Sequence, residues 1–161
     1  MESAATHPTG DSERGSQLNR LAAQATTHCL TGCALGEIAG MALATALGWG
    51  NGVQVALAIV LAYTFGFALT ALPLVRAGLA SRTVATTAFA SDSLSITIME
   101  AIDNLAVVLI PGAYTAGLGD WLFYASIAGG FAIAYPFAFA ANRYLIARGR
   151  GHALVHGHHG H

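Results

Sequence analysis

The chain has 161 residues, 55% of them apolar and only 9% charged, with a net charge of −1. That length suits one domain, and the charged fraction falls far below the roughly 25% of water-soluble domains. A near-neutral chain with Arg but no Lys excludes a nucleic-acid surface, which needs clustered basic residues, and two Cys in an apolar run exclude a secreted disulfide framework.

Residues 1–24 are polar and carry Glu2, Asp11, Glu13, Arg14 and Arg20. A cleaved signal peptide would place an apolar core directly after a basic patch, so this stretch is expected to stay as a disordered cytoplasmic tail. Four apolar stretches follow, each reaching the roughly 20 residues that span a bilayer core. They are Ala25–Leu47, ended by Gly48-Trp49-Gly50-Asn51-Gly52; Val53–Val75; a stretch within Val84–Ile110, stopped by Pro111-Gly112; and Trp121–Ala147, with Pro136 inside. The expected fold is therefore an all-α, integral membrane four-helix bundle over residues 25–147, followed by a His-rich tail at 148–161.

All seven Arg fall on one side of this arrangement: Arg14 and Arg20 before the first span, Arg76 and Arg82 between the second and third, Arg143, Arg148 and Arg150 at the end. The positive-inside rule then puts both termini in the cytoplasm. Trp49, Tyr114, Trp121 and Tyr124 mark the opposite interface, where amphipathic rings settle.

In the first span, Cys29, Cys33, Glu37 and Met41 recur every four residues and form one helical stripe. Gly32, Gly36 and Gly40 form a second stripe beside it. Small residues at this spacing let membrane helices approach closely, and the stripe is expected to pack between protomers of a homo-oligomer. In the third span, Asp92, Ser95, Met99 and Asp103 follow a three-or-four step, and Glu100 stands beside Met99. Asp92 lies either in an N-cap at Ala90–Ser93 or inside the membrane. Counted from the Arg side, Cys29 and Cys33 fall level with Asp92–Ser95, Glu37 with Met99-Glu100, and Met41 with Asp103-Asn104.

No Arg lies at the depth of Glu37, Glu100 and Asp103. A carboxylate in hydrocarbon must be protonated, hydrogen-bonded, wet or paired with a cation. Thiols and thioethers alongside point to a transition metal, copper first, with zinc or iron also suited. The expected metal ligands are His28, Cys29, Cys33, Glu37, Met41, Met99, Glu100 and Asp103, with Asp92 and Asn104 along an ion path. The tail histidines His152, His156, His158, His159 and His161 form a tract that captures metal. Proton or cation conduction through the acids, and dithiol redox chemistry at Cys29 and Cys33, are the alternatives. No GxSxG, Walker or HExxH pattern occurs, so no enzyme is expected.

The motifs HCxxGCxxGE (His28–Glu37) and DSxSIxxMExxDN (Asp92–Asn104) resemble those of a family of small four-span bacterial membrane proteins, a domain of unknown function. The resemblance covers roughly residues 25–147 and implies a bacterial inner-membrane setting. It implies no particular activity.

Overall fold

The structure is a computed structural model that describes residues 9–76, 78 and 80–148. Within them the long elements are all helices: α1 (Thr9–Ala46), α2 (Asn51–Arg76), α3 (Ser81–Leu109) and α4 (Trp121–Ala147), with a 3-10 turn at Ala113–Thr115. No strand occurs among the described residues. Ser12–Ala46, Asn51–Leu72 and Trp121–Ala147 are long and apolar enough to cross a membrane. α3 carries Asp92, Glu100 and Asp103 and falls outside that set by composition.

Successive helices run antiparallel. Asn51 Nδ2 donates to the Tyr114 carbonyl at 2.9 Å, joining the two connections at one end. Arg143 Nε donates to Asn19 Oδ1 at 2.7 Å, joining α4 to α1 at the other. α1 stops where Gly48 turns left-handed (φ 68°). The Trp49 amide then reaches the Ala44 carbonyl (2.9 Å) and the Gly48 amide the Thr45 carbonyl (3.1 Å). This Schellman closure satisfies carbonyls that the helix end would otherwise orphan.

Helix α1 begins at Thr9 rather than near Ala25. The expected disordered tail is thus helical from residue 9 onward, since Arg and Gln are good helix formers and Asn19 is tied to α4. Asp92 is settled as well: α3 starts at Ser81 with Ala80 as its N-cap, so Asp92 lies well inside the helix and is buried. Asp120 holds the N-cap position of α4, but its side chain makes no bond to that helix. Its Oδ2 instead accepts from the Gly117 amide at 3.2 Å.

The glycine stripe is spent inside the chain. A Cβ on Gly32 would come within 2.8 Å of Gly66 Cα, one on Gly36 would overlap the Ala62 backbone, and one on Gly40 would press on Ala58. Backbones of α1 and α2 therefore touch along three turns, and a face buried this way cannot serve a second protomer. Every long helix exposes large apolar residues, although the first part of α1, with Glu13, Arg14, Asn19 and Arg20 exposed, is polar. On α3 itself Phe89, Leu94, Leu105, Val108 and Leu109 are exposed, Val108 by 70%, an arrangement that water would penalise. We predict that Gly36→Ala lowers stability by about 1–3 kcal/mol through overpacking. Gly129→Ala, which meets nothing within 4 Å, should cause no loss; unfolding curves in detergent compare the two.

Candidate functional site: a buried acid chamber

α1 and α3 turn their acids inward to the same place. Glu37, Glu100 and Asp103 are 6%, 5% and 3% exposed. One carboxyl oxygen of each (Glu37 Oε1, Glu100 Oε1, Asp103 Oδ1) is buried without a hydrogen-bond partner among the described residues. The three groups lie near enough to act on one another electrostatically. They line a cavity of about 50 Å³, together with Met41 and Asn104, Val55, Ala58 and Ile59 of α2, and Phe123, Ser126 and Ile127 of α4. Ala113 and Tyr114, from the connection between α3 and α4, complete the wall at the turn-bearing end.

Local sequence explains each placement. Glu37 lies on α1 beside the glycine stripe, so the close approach of α2 narrows the space around it. Asp103 is laid against α4 at Gly130, where a Cβ would collide with the Asp103 side chain. Asn104 Nδ2 folds back onto its own helix, donating to the Glu100 carbonyl (2.8 Å) and more weakly to Glu100 Oε2 (3.4 Å). Ser126 Oγ donates to the Phe123 carbonyl at 2.8 Å, leaving its lone pairs for the cavity. The wall thus offers acceptors, and among the described residues no Arg, Lys or His lines it. Its volume holds a few waters, at about 10–15 Å³ each, and is far below the roughly 300–1,000 Å³ of organic ligand sites.

Beneath the chamber lies sulfur. Cys29, Cys33 and Met99 are buried in one cluster with Ile96 and Phe131. Both thiols are free, and Cys33 lies near enough to Cys29, Glu37 and Glu100 to act on them electrostatically. The expected layering is therefore shifted by about one turn: Cys33 meets Glu100 and Glu37 faces Asp103. Depth counting assumed that α1 and α3 enter together. The register is instead held by Asn142, whose Nδ2 donates to Thr26 Oγ1 (2.9 Å) and Ser95 Oγ (3.0 Å) and so ties α4 to α1 and α3.

The eight expected ligands do not form one shell. His28 lines a separate groove with Arg20, Gln24, Thr27 and Thr31, all on α1. Met41 reaches the chamber wall, whereas Met99 packs in the sulfur cluster. Among the described residues, no group of three or more His, Cys, Asp and Glu is placed to hold a metal ion as it stands. Of the path residues, Asn104 lines the chamber, and Asp92 is buried one turn before Ser95. His152, His156, His158, His159 and His161 lie outside the described residues. Sequence reasoning missed Ser126, Thr26 and Asn142; a buried polar residue in an otherwise apolar helix was the signal, and the neighbouring Arg143 disguised Asn142 as a helix end.

Long helices, an apolar exterior and an acid-lined interior define a class: a helical protein suited to a membrane, with a buried acidic chamber. The chain belongs to the DUF4396 family, a domain of unknown function, which it matches over residues 18–151. No curated protein and no solved structure matches it.

Three acids facing one another in an apolar interior oppose folding, as functional sites commonly do. An amide in place of one would donate to the neighbouring acceptors. Glu37→Gln is therefore expected to raise the unfolding temperature in detergent by a few degrees.

Proposed function

We propose that this is an integral membrane protein of the bacterial inner membrane that crosses the bilayer four times, with both termini cytoplasmic, and that it binds and moves a cation through the acid chamber. The observation that carries this reading is the set of three carboxylates, each more than nine-tenths buried, around a cavity whose wall has no basic side chain among the described residues. An ionised acid at the centre of a membrane helix costs about 2.5–3.5 kcal/mol on insertion scales. Three together would then cost roughly 8–10 kcal/mol, comparable to the whole net stability of about 5–15 kcal/mol of a domain. A positive charge from outside the chain is the natural counterweight.

Two observations support a crossing by α3. Its 29 residues extend about 43 Å at 1.5 Å per residue, and its outward side is as apolar as that of its neighbours. The Arg residues support the orientation: Arg14, Arg20, Arg76, Arg82, Arg143 and Arg148 all belong to the ends opposite the turns.

The cargo favoured by the sulfur atoms is a transition-metal ion, copper first, because Cys33 is buried in the layer beneath the chamber and Met41 lines the chamber. Binding would draw the carboxylates inward from their present spacing. The second reading is a proton or an alkali cation, favoured because the polar side chains of the wall, Glu37, Glu100, Asp103, Asn104, Ser126 and Tyr114, all carry oxygen.

The test is equilibrium dialysis of the purified full-length protein, its tail histidines changed to alanine, against copper, zinc, iron, manganese and sodium salts. The expected outcome is binding of one ion class, weakened at least tenfold by Glu37→Gln, Glu100→Gln or Asp103→Asn. Binding indifferent to all three changes would overturn the proposal. Copper or zinc binding that also weakens with Cys33→Ser supports the metal cargo. Proton flux into liposomes that is lost with Glu100→Gln but kept with Cys33→Ser supports the second reading.

A further inference from the structure

Two buried polar compartments lie along the axis between the helices. One is the acid chamber, whose lining runs from Glu37 and Glu100 at its deep end to Ala113 and Tyr114 at the turns. The other is the cluster of Thr26, Ser95 and Asn142, fully or almost fully buried, with Asp92 buried one turn further along α3. Between them sits one layer of side chains, Cys33, Ile96 and Met99, each 0% exposed, with Cys29 and Phe131 at its edge. Ser95 and Glu100 are five residues apart on α3, and Thr26 and Glu37 eleven apart on α1. At 1.5 Å per residue the two polar regions are therefore about 7 Å apart along α3 and about 16 Å apart along α1.

We infer that the two compartments are the halves of one path, and that the Cys33–Ile96–Met99 layer is a gate between them, closed in this structure, so that the chamber is reached only from the turn-bearing end. The layer is built for this. Sulfur side chains are adaptable and repack at low cost, and Cys33 and Met99 come from different helices. The two hairpins meet mainly through α1 on α4 and α2 on α3, each a smaller contact than the pairing inside either hairpin. α1 is locked backbone to backbone onto α2, and α3 packs mainly on α4, whereas direct packing of α1 on α3 is slight. A rocking of the α1–α2 hairpin against the α3–α4 hairpin would part Cys33 from Met99 without disturbing either hairpin. It would leave Glu37 and Glu100 facing the Thr26–Asn142 cluster.

This inference deepens the cation reading and rests on it for its purpose, but its test does not depend on any cation being carried. Ser126→Cys places a thiol in the chamber wall. Silver ion is applied to one side of sealed vesicles of each orientation, and the thiols left free are counted with a maleimide after denaturation. The unsubstituted chain supplies the counts for Cys29 and Cys33. The expected result is at least tenfold faster protection of the new thiol from the turn-bearing side than from the Arg-bearing side. Adding Met99→Ala, or Ile96→Ala should the first not fold, opens the layer and brings the two rates within threefold. Adding Met99→Leu, which restores the volume, returns the one-sided pattern. Rapid protection from the Arg-bearing side with the layer intact, protection from neither side, or one-sided protection that survives the alanine changes would each overturn the gate. Failure of the dialysis experiment with this pattern intact would remove the cation and leave the gate.

Discussion

Unpaired carboxyl oxygens in an apolar interior are the constraint on which the rest of this structure depends. Glu37, Glu100 and Asp103 are held together, each with an oxygen that no donor among the described residues satisfies. Ordinary cores avoid this, because a buried polar atom without a partner costs on the order of 1–3 kcal/mol. Such an arrangement persists only where something else is gained, and a site that accepts a positive charge is the direct physical gain.

The helices are arranged to make that cluster possible. Close contact between α1 and α2 at Gly32, Gly36 and Gly40 brings Glu37 inward, and Gly130 makes room for Asp103 against α4. Asn142 ties α1, α3 and α4 at a fixed register. Interhelical hydrogen bonds of this kind average about 0.6 kcal/mol, too little to assemble the bundle but enough to choose between registers one turn apart. The sulfur layer fills the space between that tie and the chamber. Polar tie, sulfur layer and acids thus occupy successive levels of one short axis, with the glycine stripe running beside the last two.

Much of the architecture was legible beforehand. Hydropathy and turn residues located all four helices, and the stops at Gly48 and at Pro111-Gly112 fell where the backbone turns. The inward acids of α1 and α3 were legible too, because few apolar environments tolerate acids at such spacing. What the sequence left hidden was relational. A glycine stripe states that something comes close and does not say whether it is α2 or another chain. Depth counting presumes a common starting plane, and the start of α1 at Thr9 removes it. His28 shares a stretch with Cys29 and Cys33 yet faces a different groove, since neighbours in sequence are about 100° apart on a helix. The contributions of Ser126 and Asn142 depended on packing of α4 that no periodicity could supply.

The most direct measurement of the central claim is an anomalous difference map from crystals of the full-length protein grown in a lipid phase with manganese or copper salt. The account predicts a peak inside the chamber, within about 2.0–2.6 Å of oxygens from at least two of Glu37, Glu100 and Asp103 or one bridging water farther. A chamber in which those oxygens instead pair with an Arg or Lys from another chain, with no anomalous peak, would contradict it.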